Sequence, residues 1–113
     1  MLDLIARYKH LIKSFHVLLY EQEGESFRFK AQVIFTDSSN LYVKEYLFEN
    51  KGRKYSYHWS DSLGNLVCRW DNADHWVDIP THPHHKHIGD DVFESTETSI
   101  ENVLSIICDK INK

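Results

Sequence analysis

Four histidines and one lysine fall within six consecutive positions of the chain, from His82 to His87. Imidazole groups exchange protons near neutral pH, bind transition metals and contact phosphate when they are protonated. Pro83 and Lys86 interrupt the run, and the run is internal, so it is not an expression tag. The segment predicts a metal site, a loop that brings histidine and lysine to a phosphate, or a solvated polar linker.

The metal alternative uses a carboxylate and three imidazoles that lie close together in the sequence. Nitrogen and oxygen ligands of this kind suit Zn²⁺ and other divalent transition metals. A helical HExxH pattern is absent, however, and neither cysteine is close to the histidines. The metal set therefore stands as an alternative to a site without a cofactor, and its members are Asp71, His75, His85 and His87.

Composition narrows the classes of protein that this chain can be. Its 113 residues, 42% of them hydrophobic, suit one domain spanning residues 1–113 with a single core. A formal net charge of −4 excludes a generally basic nucleic-acid coat protein but leaves room for a local cationic site. The apolar runs are too short to span a membrane. Cys68 and Cys108 lie in apolar patterns, which predicts reduced core residues in a cytoplasmic protein.

Hydrophobic periodicity predicts an α+β domain. Helical spacing indicates one helix over residues 2–12, and the segment TSIE predicts a second helix that begins near Thr98. We therefore expect a single, about five-stranded, mostly antiparallel sheet with both helices packed on one face. The long segment between Asp71 and the second helix predicts a functional or mobile loop. The five segments with strand composition are 14–22, 26–36, 40–50, 53–60 and 65–71.

Aligning the apolar residues of neighbouring strands predicts which side chains share a face of the sheet. With a four-residue loop at 37–40 and a turn centred on Lys51-Gly52, Glu45 lies directly across from His58, and their Cβ atoms are about 5 Å apart. The same register puts Arg69 on their face. A slip by one residue would reverse a strand and separate the pair. The aromatic residues expected on the opposite face, under the helices, are Tyr55, Tyr57, Trp59 and Trp70.

The predicted polar face has the groups needed to cleave RNA. A glutamate–histidine pair beside an arginine can move a proton while the arginine holds a negative charge. In RNA cleavage a base takes the 2′-hydroxyl proton, a cation stabilises the phosphorane and an acid protonates the leaving oxygen, without a metal. The alternative is a solvated sheet face with ordinary cross-strand ion pairs, such as Glu49 with Lys54.

Three short motifs follow one another in the second half of the chain: YSYH from Tyr55, RWDNADH from Arg69 and PHHKH from Pro83. Together with the upstream Glu45-Tyr46 they resemble the TumE-type toxin family, the toxin half of a bacterial or archaeal toxin–antitoxin pair. The resemblance implies a toxin that cleaves mRNA and is held inactive by a cognate antitoxin. Two positions depart from the family pattern, with Trp76 in place of a histidine and His82 in place of an apolar residue. The residues that match it are Tyr55, Tyr57, His58, Arg69, Asp71, Asn72, His75, Pro83, His84, His85, Lys86 and His87.

The face argument and the resemblance together predict one composite site, with the histidine loop folded over the polar face. We expect Glu45 and His58 to be the proton-transfer pair, Arg69 to stabilise the phosphorane, and His85 or His87 to be the second acid or base. A surface-loop position predicts that replacing His85 or His87 changes stability by no more than about 0.5 kcal/mol. Homodimer formation and a non-catalytic interaction role stay open. The remaining assignments are Arg28, Lys30 and Lys86 to RNA phosphates, and Asp71, Asn72 and His75 to orienting Arg69 and the loop.

Overall fold

A computed structural model describes residues 2–50, 52–73 and 81–112. Within them one antiparallel sheet has seven strands, and each strand pairs with the next along the chain. The α+β class is confirmed, but the expectation of about five strands is wrong, because the segment expected to be a loop forms a further hairpin. Neither described helix has the length and apolar character needed to cross a membrane. The elements are α1 (Leu2–Arg7), β1 (Ile12–Glu23), β2 (Ser26–Phe35), β3 (Asn40–Leu47), β4 (Arg53–Ser60), β5 (Leu66–Asp71), β6 (His85–Ile88), β7 (Asp91–Glu94) and α2 (Ile100–Ile111).

Both helices pack on the same face of the sheet, as the sequence predicts. Val103, Leu104 and Ile107 of α2 are fully buried against the strands, and apolar residues of α1 pack against the same core. The N-cap of α2 is Ser99 rather than Thr98, and its side chain accepts a hydrogen bond of 3.4 Å from Asn102 N. The core residues contributed by the strands include the four predicted aromatics, Tyr55, Tyr57, Trp59 and Trp70.

The loop between β2 and β3 has three residues and not the expected four. Phe35 N donates to Ser39 O at 2.9 Å, and Ser38, inside the loop, has a φ of 70°. A three-residue loop with one left-handed residue is a common hairpin connection. Because side chains alternate along a strand, the loss of one loop residue turns β3 over relative to β2.

The loop between β3 and β4 differs from expectation in the opposite sense: it has one residue more than the expected two-residue turn. Phe48 N donates to Gly52 O at 2.9 Å, so three residues separate these partners. The two errors in loop length cancel for β4, whose side chains lie on the predicted faces. The side chains of β3 lie on the faces opposite to those predicted. Glu45 therefore pairs with Tyr55 on the face covered by the helices, and His58 pairs with Tyr42 on the other face. The predicted Glu45–His58 proton-transfer pair is wrong.

The hairpin between β4 and β5 keeps the predicted faces and shifts the register. An irregularity in the pairing between Trp59 and Ser60 moves the partner of His58 along β5. As a result His58 lies directly across from Arg69. The shift brings the imidazole and the guanidinium together on the side of the sheet that faces away from α1 and α2, which we call the open face.

Candidate active site

Two histidines and an arginine form a row across the open face. Cross-strand pairing joins His58 of β4 to Arg69 of β5, and Arg69 to His87 of β6. Tyr42 of β3 extends the row, and its ring lies 6.5 Å from the His58 ring in an edge-on arrangement. Neighbouring strands are about 4.8 Å apart. This row, the central row, therefore places Arg69 between two imidazoles whose Cα atoms are about 10 Å apart.

Asp71 binds three side chains of this site at once. Its carboxylate lies 3.1 Å from Arg69 Nε, 2.7 Å from His85 Nε2 and 3.5 Å from His87 Nε2. The Asp71 side chain is only 4% exposed, so water screens these contacts weakly. One buried carboxylate therefore joins Arg69 of β5 to the histidines of β6, and the orienting role of Asp71 stays a prediction.

His85 is a buried residue, which contradicts its expected position in a surface loop. Its side chain is 1% exposed, and β6 pairs it directly with Asp71. Its Nδ1 donates to the carbonyl oxygen of Pro83 at 2.9 Å, while Nε2 faces Asp71. A side chain enclosed in this way cannot reach a substrate, so His85 is placed to hold Asp71 and not to exchange protons with RNA.

The two half-buried histidines of the central row, His58 and His87, have lowered pKa values. For His58, burial is the larger cause, and the positive charge of Arg69 adds to it. For His87, burial lowers the pKa most, and the nearby Asp71 carboxylate opposes that effect. The two environments differ in one respect: both causes lower the pKa of His58, whereas the Asp71 carboxylate offsets part of the lowering that burial and the charges of His85 and Arg69 cause at His87.

The open face is basic although the whole chain is acidic. A shallow depression of about 180 Å³ is bounded by His58, Arg69 and Lys44, with Lys30 and Tyr42 at its side. Lys30 pairs with Lys44 in a second row next to the central row. Lys44 was not predicted here because the expected pairing of β3 with its neighbours placed its side chain on the opposite face. The correct loop length would have revealed it. A third row continues the face with Arg28, Tyr46 and Lys54.

Glu45 belongs to a separate cluster on the face covered by the helices. It accepts a hydrogen bond from the hydroxyl of Tyr57, and Arg53 Nη2 lies 4.0 Å from its carboxylate. Burial raises the pKa of Tyr57, and the charge of Glu45 raises it further. The ring of Tyr55 stacks beside that of Tyr57. The hydroxyl group of Tyr55 is hydrogen-bonded to His84 Nδ1 at 2.9 Å. Glu45 is therefore part of the packing under α2 and has no access to the central row.

Asn72 stabilises the sheet and does not orient the histidines. Its Oδ1 accepts from Tyr55 N at 2.9 Å, and its Nδ2 donates to Arg53 O at 2.7 Å. These bonds extend the β4–β5 pairing by one position beyond Asp71. Lys86 also departs from its expected role, because it pairs with Trp70 and so points to the helix-covered face, away from Arg69. His75 lies outside the described residues.

The cluster of Asp71, His85 and His87 is also the group that could hold a metal ion. One ligand atom from each residue lies within 4.8 Å of the others. The hydrogen bond from His85 Nδ1 to a backbone carbonyl is the support that metal-binding histidines usually have. Arg69 competes for the carboxylate, since its Nε is 3.1 Å from Asp71 Oδ2. The donor set fits a divalent transition metal, with one carboxylate oxygen already engaged.

The chain matches a known protein family along its whole length. A family model described as toxin TumE matches residues 1–113, the whole chain. No curated protein and no solved structure matches. The matched region contains every residue of the central row and of the Asp71 cluster.

Proposed function

Because the chain belongs to the TumE toxin family, we propose that it is an endoribonuclease that cleaves mRNA in the cytoplasm and is held inactive by a cognate antitoxin. The family indicates the toxin of a toxin–antitoxin pair. The nuclease activity is our inference, and it rests on the arrangement of the open face. In this proposal the central row carries out the reaction without a cofactor.

The observation that carries the proposal is the position of Arg69 between His58 and His87 in one row. Cleavage at a phosphodiester needs a base on one side of the phosphorus, an acid on the other and positive charge at the non-bridging oxygens. The row supplies these groups in that order. A solvated sheet face with ordinary ion pairs would not need a buried carboxylate behind its arginine.

The chemistry assigns a separate part to each side chain. His58, kept neutral by burial and by Arg69, takes the proton of the 2′-hydroxyl as that oxygen forms a bond to phosphorus. Arg69 stabilises the charge on the phosphorane. His87, beside the Asp71 carboxylate, donates a proton to the 5′ oxygen as its bond to phosphorus breaks. The products are a 2′,3′-cyclic phosphate and a 5′-hydroxyl.

Charge on the open face supports RNA as the substrate. Lys30 and Lys44 border the depression beside His58, and Arg28 and Lys54 extend the positive surface along the strands. Basic side chains bind the phosphate backbone without regard to sequence. Because the net charge of the whole chain is −4, we expect the attraction for RNA to be confined to the open face.

The proposal is tested by RNA cleavage with purified protein and matched histidine variants. His58→Gln and His87→Gln should each slow cleavage by about 10²–10⁴-fold, because each removes one proton-transfer group. His10→Gln, which changes an exposed histidine in the α1–β1 connection, should cleave at the parent rate. Equal activity in all three variants, or no cleavage by the parent protein, would refute the proposal.

A metal-assisted nuclease is the second candidate, and the convergence of Asp71, His85 and His87 favours it. A bound divalent ion would lower the pKa of a water molecule and so supply the nucleophile. These three side chains would hold the ion, and Arg69 would remain on the other carboxylate oxygen. Metal content of the purified protein and cleavage in EDTA distinguish the candidates. The metal-free proposal requires full activity after chelation, whereas the second candidate requires its loss.

A further inference from the structure

A second concave feature lies at the end of strands β1–β4, next to the third row of the open face. This cleft has a volume of about 500 Å³, in the range typical of small-molecule sites. Phe48 forms part of its wall and is 46% exposed, which is a large aromatic surface to leave in water. The other lining residues that matter here are Tyr46, Arg28 and Lys54 of the third row, and Glu21 and Glu23 of β1.

The cleft and the central row lie along one continuous basic path. Lys54 at the cleft and His58 in the central row are four residues apart on β4, which corresponds to about 13 Å. Lys44, paired with Ser56, lies between them. A stacked nucleic-acid strand rises about 3.4 Å per nucleotide, and an extended one rises more. The cleft is therefore about two to four nucleotides away from a bond cleaved at the central row.

We propose that this cleft binds one unpaired base of the RNA strand and selects which base it is. The inference rests on the proposed function, since the same strand must pass over Arg69. An aromatic wall suits a base because every base has a flat face that stacks on such a ring. Arg28 and Lys54 lie on the side of the open face, where they attract the adjoining phosphates.

Two glutamates of the cleft, Glu21 and Glu23, determine which bases it favours. Carboxylates only accept hydrogen bonds, and Glu21 and Glu23 stand on the β1 side of the cleft. Adenine, cytosine and guanine carry exocyclic amino donors, whereas uracil presents carbonyl oxygens on both sides of its single N–H. The same carboxylates repel phosphate, so the base and not the backbone faces β1. Glu21 is partly neutralised by Arg28, which is 3.9 Å away, and Glu23 is the stronger discriminator. The cleft thus favours an amino-bearing base over uracil.

Binding of short, uncleavable RNAs tests this site separately from catalysis. The probes are fluorescently labelled hexamers of 2′-O-methyl adenosine, cytidine or uridine, and the readout is anisotropy. We expect the parent protein to bind the adenosine and cytidine hexamers more tightly than the uridine hexamer. Phe48→Ala should weaken adenosine-hexamer binding by about 5- to 150-fold, the effect of losing one base–aromatic stack. Glu23→Gln should reduce the difference between the adenosine and uridine hexamers.

Phe93→Ala is the matched control, because Phe93 is 44% exposed and lies on β7, outside the cleft. It should bind all three hexamers like the parent. Affinity unchanged within twofold in Phe48→Ala, or reduced equally in Phe93→Ala, would overturn the inference. If the parent binds RNA with this dependence on Phe48 but does not cleave it, the nuclease proposal fails and the base site stands. If the parent cleaves RNA and Phe48→Ala binds it normally, only the base site fails.

Discussion

Asp71 Oδ1 lies 2.7 Å from His85 Nε2, and the two side chains are 4% and 1% exposed. The other oxygen of the same carboxylate contacts Arg69. Removing His85 would take a short, buried contact away from the Asp71 carboxylate, which would keep Arg69 and His87. The contact between Asp71 and His85 therefore helps to fix the centre of the open face.

The first prediction compares the two histidines of β6. His85→Ala should lower the free energy of unfolding by about 1.5–3 kcal/mol, because the Asp71 carboxylate loses a buried hydrogen bond while it keeps Arg69. His87→Ala should cost no more than about 1 kcal/mol, since its side chain is partly exposed and its contact with Asp71 is longer, at 3.5 Å. Urea unfolding of the two variants measures the difference. Equal stability of the two variants would contradict the assignment of His85 as a positioning residue.

The second prediction concerns Asn72 and its two hydrogen bonds to the β4 backbone. Asn72→Asp keeps the shape of the side chain but replaces the donor to Arg53 O with a second acceptor. An unsatisfied carbonyl costs about 1–3 kcal/mol, so the variant should unfold at lower urea concentration. At a temperature where it is folded, its cleavage rate should match the parent rate. A large loss of activity in the folded variant would assign Asn72 to the site after all.

The third prediction follows from the histidine on β4. The pKa of His58 is lowered from 6.5 in the folded protein, so below about pH 6.5 the unfolded chain binds more protons than the folded one. Stability contributed by neutral His58 is therefore present above this range and is lost as the pH falls through it. Between pH 7.5 and 5.5 the free energy of unfolding should decline less steeply in His58→Gln than in the parent. An unchanged slope in His58→Gln would show that its folded pKa is not lowered.

The fourth prediction separates Glu45 from catalysis. Glu45→Ala removes the acceptor for the buried Tyr57 hydroxyl and a partner of Arg53. It should lower the free energy of unfolding by about 1–3 kcal/mol, the cost of leaving a buried polar group unsatisfied. Glu45→Gln retains an acceptor oxygen and should cost less. Neither variant should change the rate of RNA cleavage by the folded protein more than about twofold. A rate loss near 10²-fold in Glu45→Gln would restore Glu45 to the active site.

The elements that periodicity defines well were predictable from the sequence, including α2, the core aromatics of β4 and five of the strands. The orientation of β3 was not, because it depends on the lengths of the two loops that flank it, and the sequence is compatible with more than one length for each. The length of the β3–β4 loop decides whether Glu45 or Tyr42 shares a face with His58. The alternation of β2 was clear enough to place its own face, but it carries no information about the register of its neighbour.

The last hairpin, β6–β7, was not predicted from the sequence for a different reason. Each of its strands has four residues, and His85–Ile88 follows no alternation of apolar and polar side chains. The strand is specified by tertiary contacts, since the buried Asp71 selects the histidines opposite it. Residue type alone singled out His85 and His87, but that His85 is buried and His87 partly exposed required the structure.

The most direct measurement of the central claim is cleavage of an RNA with a single 2′-deoxy substitution. The nucleotide to replace is the one on the 5′ side of a mapped cleavage bond. If His58 activates the 2′-hydroxyl, the substituted bond should resist cleavage, and the all-ribose RNA should give 2′,3′-cyclic phosphate and 5′-hydroxyl ends. Cleavage of the substituted bond at the parent rate, with a 5′-phosphate on the product, would contradict the metal-free mechanism and assign the nucleophile to water.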